Sequence, residues 1–282
     1  MHTLLKCGRF DLDLSSPQVM GILNATPDSF SDGGRYADPA AVLATAEQMV
    51  ADGVGLLDVG GESTRPNAPF VSPAEEIDRV MPVLEALHGL NVPVSLDTRR
   101  TEVMRVALAA GYVDLINDIS ALEDDGAVAL LHDYPEAAIC LMHMQGEPQT
   151  MQQQPGYRDV VAEVSAYLKG RVQACLDAGI ALERLLIDPG FGFGKTLEHN
   201  VDLMVGLQDW LLQVDVPVLI GVSRKTMLGQ MVGEPVAKER RGASVAAALA
   251  AVSRGAHIVR VHDVKDTVQA LRVWQNIGIF LR

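Results

Sequence analysis

Residues 92–118 read VPVSLDTRRTEVMRVALAAGYVDLIND, and they contain one whole unit of the pattern that repeats down the chain. The apolar run Val92–Leu96 stops at Asp97-Thr98-Arg99. Thr101 followed by Glu102 then marks a helix start, with an acid near the positive end of the peptide dipoles. Gly111 follows the helical stretch, in the position where a left-handed C-terminal cap favours glycine. A second apolar run, Val113–Ile116, ends at Asn117-Asp118. Strand, polar end, helix, glycine, strand is a βαβ unit, and most runs of this kind in the chain are continuously apolar, as strands buried on two faces require.

The same order recurs on both sides. Upstream lie the runs Val19–Leu23 and Gly55–Val59; downstream lie Ala138–Met142, Leu185–Ile187, Pro217–Val222 and His257–Val261. Ser72-Pro73 before Glu75-Glu76 reads as another helix start, with proline in the first helical position. Asp124-Asp125 before Gly126–Leu131 reads similarly, and Gly53, Gly179 and Gly255 repeat the glycine stop. Eight βα units predict an α/β fold of the (β/α)8 TIM-barrel type, which takes about 250 residues. No GxGxxG opens the first unit to suggest an open dinucleotide-binding sheet. No linker or low-complexity stretch interrupts residues 1–282, so one barrel domain is expected, with residues 3–14 as an added β-hairpin across its bottom.

Composition narrows the function. With 23 basic against 36 acidic residues the formal net charge is -13, which disfavours nucleic acid and membrane surfaces as partners. An anionic substrate must therefore meet a local basic pocket. Cys7, Cys140 and Cys175 have no CxxC spacing, so neither a disulfide framework nor a cysteine zinc site is expected, and a cytoplasmic setting follows. No signal peptide is evident, and the small-residue run Ala243–Val252 is half the length of a membrane span.

The chemistry is written at the strand ends. The eight runs lead into Asn24, Gly60-Gly61-Glu62, Asp97, Asn117, His143, Asp188, Ser223-Arg224-Lys225 and His262-Asp263. Asn, Asp and Gly are ordinary turn residues, which accounts for single positions. It does not account for all of them, with His, Lys and Arg among the set; in a barrel, the C-terminal ends of the strands carry the active site. Asp97, Asn117 and Asp188 suit a flat heterocycle bearing several ring N–H groups. Arg65, Lys225, Arg260 and His262 suit a phosphate or carboxylate. Arg260 lies two residues before His262, so both face the barrel interior or its mouth; a strand-borne arginine needs an anionic partner there. Gly192-Phe193-Gly194-Lys195-Thr196 resembles the end of a P-loop, but the first required glycine falls on Pro189. His143 and His199 lack zinc-ligand spacing. Met142 and Met144 read as core or pocket lining, and His88 and His132 as helical surface residues.

At these residues the sequence resembles the dihydropteroate synthase family of pterin-binding enzymes. The resemblance is carried by residues 20–34 (MGILNATPDSFSDGG) and 58–66 (DVGGESTRP), then by Asn117-Asp118-Ile119, Leu141-Met142-His143-Met144, residues 188–195 (DPGFGFGK), Ser223-Arg224-Lys225 and Arg260-Val261-His262-Asp263. Ala25 stands where valine is usual and Asn67 where glycine is common. The resemblance implies condensation of 6-hydroxymethyl-7,8-dihydropterin diphosphate with p-aminobenzoate, giving 7,8-dihydropteroate and pyrophosphate. By similarity Asp97, Asn117, Asp188 and Lys225 hold the pterin. Asn24 helps bind Mg2+, the expected cofactor, with the diphosphate; Thr64, Arg65, Arg260 and His262 contact diphosphate oxygens. Phe193 and Pro66 flank the aminobenzoate ring, with Lys225 and Thr226 near its carboxylate. Asp97, Lys225 and Arg260 are the expected catalytic residues, and a homodimer is implied.

The arylamine is a weak nucleophile, so the expected route is assisted departure of the diphosphate, with carboxylates stabilising the cation left at the pterin methylene. The segments Asn24–Arg35 and Gly61–Phe70 are expected to close over the site and exclude water. A methyltetrahydrofolate methyltransferase would share the pterin pocket but needs no cationic cradle, and a pterin-binding paralogue without synthase activity would not need the cationic and Mg2+-linked positions.

Overall fold

The computed structural model describes residues 4–25, 38–63, 69–211 and 214–278. Eight parallel strands form one sheet: β3 (Gln18–Asn24), β4 (Leu56–Gly60), β5 (Val94–Asp97), β6 (Leu115–Asp118), β7 (Ala138–Met142), β8 (Leu185–Asp188), β9 (Leu219–Ile220) and β10 (Ile258–Val261). Hydrogen-bonded neighbours run β8-β7-β6-β5-β4-β3-β10-β9, and a parallel bridge between Ile187 and Val218 joins the two ends. The sheet therefore closes on itself as a barrel. The run expected over Pro217–Val222 shortens to two residues, because Pro217 brings no N–H to the ladder and β9 meets β10 only at Leu219 and Ile220.

Around the barrel lie α1 (Pro39–Asp52), α2 (Pro73–Leu87), α3 (Thr101–Ala110), α4 (Ala127–Asp133), α5 (Val160–Asp177), α6 (Leu197–Val205), α7 (Leu207–Leu211), α8 (Thr226–Val232), α9 (Arg241–Val252) and α10 (Val264–Gly278). Their inward stripes, such as Val80, Val83, Leu84 and Leu87 on α2 and Met104, Ala107 and Leu108 on α3, are buried against the outer faces of the strands. Two helices stop at glycines that the sequence marks: Gly53 after α1 and Gly111 after α3 are left-handed, at φ 98° and 73°. Ser72 caps α2 through a bond from Glu75 N at 3.2 Å, with Pro73 first in the helix. Asp124 behaves differently from its sequence reading. Its carboxylate accepts from Thr101 N at 2.7 Å and so caps α3, which lacks a side-chain cap of its own, while Gly126 stands at the start of α4. His88 is not a plain surface residue either: it follows α2, half-buried, with its ring 5.3 Å from that of Tyr112.

A hairpin of β1 (Leu4–Cys7) and β2 (Phe10–Asp13) closes the N-terminal end of the barrel. Leu5, Cys7 and Leu14 pack on Met20, Leu56, Leu115, Ala138, Leu186 and Ile258, which line the bottom of the interior. Arg9 grips the buried Asp114 through two side-chain bonds of 3.0 Å, and Asp114 also accepts from Val94 N at 2.9 Å. That end is sealed by apolar contact, which leaves the opposite end for chemistry. Among the described residues, no helix is long and apolar enough to cross a membrane.

Candidate active site

Inward-facing side chains on four strands meet at one level of the interior. Asp58, on β4, is fully buried, and Ser95 stands opposite it in register on β5. The Ser95 hydroxyl donates to Asp58 at 2.6 Å, Asn117 Nδ2 on β6 donates at 3.3 Å, and Arg260 Nε on β10 donates at 2.5 Å. Arg260 Nη2 donates in turn to Asp97 at 2.7 Å, at the end of β5. Burial alone would lower the Arg260 pKa, but Asp58 and Asp97 outweigh it, so the guanidinium stays charged. Burial pushes the Asp97 carboxyl up to about 7 despite Arg260, with Asp58 and Glu76 adding to the rise.

Arg260 is thus not an unpartnered cation waiting for an anion. The expectation that set it with His262 in a separate cationic arc overlooked Asp58, which sits in the middle of an otherwise apolar run. A charged residue in the middle of a strand buried on both faces is itself the signal, since it must have a partner inside the barrel. Asp58 carries that signal, and Ser95, a buried hydroxyl within the Val92–Leu96 run, is its uncharged neighbour.

Asp188, at the end of β8, completes the floor. Its carboxylate accepts from Gly190 N at 2.7 Å, which starts the loop Gly190–Gly194. Burial raises its pKa, opposed chiefly by Lys225. Lys225 follows β9, donates to the carbonyl of Phe191, and holds its ammonium 4.6 Å from the ring centre of Phe193. Burial lowers the Lys225 pKa to about 8, with Asp188 opposing.

The backbone places Lys225 by force. Arg224 adopts a left-handed conformation at φ 59°, unusual for a residue with a side chain. It is held on every side: Nε and Nη2 bond Asp263, its N–H donates to Ser244 at 2.9 Å, and its carbonyl accepts from Arg240 at 3.0 Å. His262 sits beside this turn, with Nδ1 3.1 Å from Ser223 Oγ. Thr226 is the exposed first residue of α8, and Asn24 ends β3 opposite Gly60. Asn24, Asp97, Asn117, Asp188, Lys225, Thr226, Arg260 and His262 therefore all stand at or near the C-terminal ends of the strands, with half-buried Phe193 on the loop after β8. Thr64, Arg65, Pro66 and Asn67 lie outside the described residues, as does most of the segment Asn24–Arg35.

A polar floor inside a barrel mouth, with cations at its rim, is the layout of a barrel enzyme with its site at the C-terminal ends of the strands. Residues 20–262 match the pterin binding enzyme family. The dihydropteroate synthase of Neisseria meningitidis serogroup C is 56% identical over 277 residues, 98% of each chain. That of Escherichia coli strain K12 is 49% identical over 263 residues, 93% of this chain and 92% of the other. Among solved structures, Xanthomonas albilineans dihydropteroate synthase with 4-aminobenzoic acid superposes with a TM-score of 0.91 at 46% identity over 99% of both chains. The Burkholderia cenocepacia enzyme complexed with 7,8-dihydropteroate gives 0.90 at 50% identity, over 99% of this chain and 98% of that one. The chain belongs to the pterin-binding enzyme family and, within it, to the dihydropteroate synthases, which are transferases of folate biosynthesis.

Proposed function

We propose that the barrel makes dihydropteroate by letting the diphosphate of 6-hydroxymethyl-7,8-dihydropterin diphosphate leave before p-aminobenzoate attacks. The observation that carries this order is the buried group of Asp58, Asp97 and Arg260. Two carboxylates share one guanidinium there, at 2.5 and 2.7 Å, leaving a formal excess of negative charge once Asp97 is ionised, above about pH 7. Such a floor stabilises a cation developing above it. Asn117 and Asp188 offer an amide and a carboxylate to the ring N–H groups of a pterin. The methylene C–O bond breaks with its electron pair going to the diphosphate oxygen. The amine lone pair then forms the C–N bond, and the resulting ammonium loses its proton. Described side chains supply no activated nucleophile, and this route needs none.

The rim serves the two anionic groups. Lys225, with Thr226 at the start of α8, faces the aminobenzoate carboxylate, and the Phe193 ring beside Lys225 flanks the aromatic ring. His262, with Thr64 and Arg65, takes diphosphate oxygens. Arg260 is already paired with Asp58 and Asp97, so its first task is to order the floor.

The donor set fits Mg2+ in one way. Among the described residues no group of three His, Cys, Asp or Glu side chains could hold a metal, whereas Asn24 offers one amide oxygen at the mouth. That suits an ion held chiefly by substrate phosphate oxygens with few protein ligands. Held there by Asn24 and the substrate's own phosphate oxygens, Mg2+ would supply positive charge against the leaving diphosphate.

We further propose a cytoplasmic homodimer. The three cysteines are free and buried, which suits a reducing compartment. Val273, Trp274 and Ile277 form an exposed apolar face on α10, 58%, 36% and 60% accessible, and this is the surface for a second copy. The test of function is pyrophosphate release measured with each substrate alone, both together, and both with chelator. Dihydropteroate and pyrophosphate from the complete mixture are expected, with slower pyrophosphate release and 6-hydroxymethyl-7,8-dihydropterin when p-aminobenzoate is left out. No dihydropteroate from the complete mixture would overturn the function, and no release at all without p-aminobenzoate would overturn the order.

A further inference from the structure

Lys195 is 3% exposed, yet among the described residues it makes no ion pair with a carboxylate. Its Nζ lies 2.9 Å from His143 Nδ1, 3.0 Å from the Gly190 carbonyl and 3.0 Å from the Phe193 carbonyl. An ammonium has three N–H groups, and here each has one near acceptor. Burying an amine on two carbonyls and an imidazole is costly: burial lowers its pKa to about 7, with Asp188 opposing, and a leucine or methionine would fill the same space without that cost. The amine is therefore held for what it joins.

It joins two pieces of chain that lie face to face. Gly190 and Gly194 are left-handed at φ 68° and 62°, and a Cβ on either would collide with the carbonyl oxygens of His143 and Gln145 respectively. The Gly190–Gly194 loop thus rests directly on the segment after β7, and Lys195 ties it there through the His143 ring. An imidazole nitrogen facing an ammonium must be the acceptor, so the His143 proton sits on Nε2. Burial and Lys195 keep that ring neutral. Tyr167 meets it edge-on at 5.0 Å between ring centres.

The two lysines grip different carbonyls of one short loop: Lys195 takes Gly190 and Phe193 from beneath, and Lys225 takes Phe191. The Phe193 carbonyl is held by one lysine while its ring lies beside the other. Of the residues facing the pterin, Asp58 and Asn117 sit on strands that Lys195 does not touch, and Asp188 meets the loop only through the Gly190 N–H, not through the carbonyl that Lys195 holds.

We infer that Lys195 is a positioning residue for the second substrate: by bonding His143, Gly190 and Phe193 it sets the Phe193 ring against Lys225 and so shapes the aminobenzoate pocket. This rests on the function proposed above. The test is steady-state kinetics of the wild type, K195M, H143L and H143N, with folding checked by circular dichroism. In K195M the KM for p-aminobenzoate should rise about tenfold, and that for the pterin diphosphate should stay within about twofold. H143L removes the acceptor and should shift the same KM in the same direction. H143N keeps an acceptor near Nδ1 and should recover most of the wild-type value. Equal shifts in both KM values, or none in either, would overturn the assignment. If K195M does not fold, the H143L and H143N pair decides by the same criterion. An inactive wild type would instead remove the functional reading beneath it.

Discussion

Replacing Asp58 by asparagine tests the floor of the site most directly. The change keeps shape but removes the charge that Arg260 Nε meets at 2.5 Å, and it turns an amide toward donors on Asn117 and Arg260. Breaking a buried ion pair by removing one partner costs about 3–5 kcal/mol. Arg260 keeps Asp97 at 2.7 Å and its side chain is 21% exposed, so the low end applies, about 3 kcal/mol. An unfolding entropy of about 2.1 cal/mol/K per residue over 282 residues gives about 0.6 kcal/mol/K, so Tm should fall by about 5 °C. Differential scanning calorimetry reads this directly. Asp11→Asn is the control: it breaks the exposed pair of Lys6 with Asp11, 2.8 Å apart, and should move Tm by less than about 1 °C. A D58N protein that melts within about 1 °C of the wild type would show that Asp58 is not the counter-charge of Arg260.

Arg260→Ala should reduce transition-state binding by about 2–4 kcal/mol, read as kcat/KM for the pterin diphosphate. Because Arg260 pulls the Asp97 pKa down from where burial would place it, its loss should also move the acid limb of the pH profile upward; a profile that keeps its position would separate the two residues. Lys225 should set the alkaline limb. Its pKa is lowered to about 8, so the charged form that meets the aminobenzoate carboxylate is present below that pH and disappears above it. The kcat/KM for p-aminobenzoate should therefore hold between the Asp97 acid limb near pH 7 and about pH 8 and fall about tenfold per unit beyond it, and K225R should extend the profile to higher pH. An unchanged alkaline limb in K225R would assign the limb to another group.

Much of this was readable along the chain because it depends on neighbours in sequence. Apolar runs without alternation, a proline and acids at a helix start, and glycine at a helix end each state a local preference. Repeated through the chain, these preferences leave the barrel as the arrangement that buries every strand on both faces. The residues at the strand ends follow, since a parallel barrel brings all those ends to one rim. Asn24, Asp97, Asn117, Asp188, Lys225 and His262 could be placed there from their positions alone.

Tertiary structure alone decided which of these residues pair. Asp58 and Arg260 are 202 residues apart, on the two strands that flank β3, and only the pairing of the last barrel strand with the first brings them together. Asp124 reads as a cap for the helix that follows it, yet it caps Thr101, 23 residues upstream. Lys195 reads as a misplaced phosphate-loop lysine until the Gly190–Gly194 loop folds onto His143. Local propensity is a property of a few adjacent residues, whereas the partner of a buried charge is set by the distances that the closed barrel imposes.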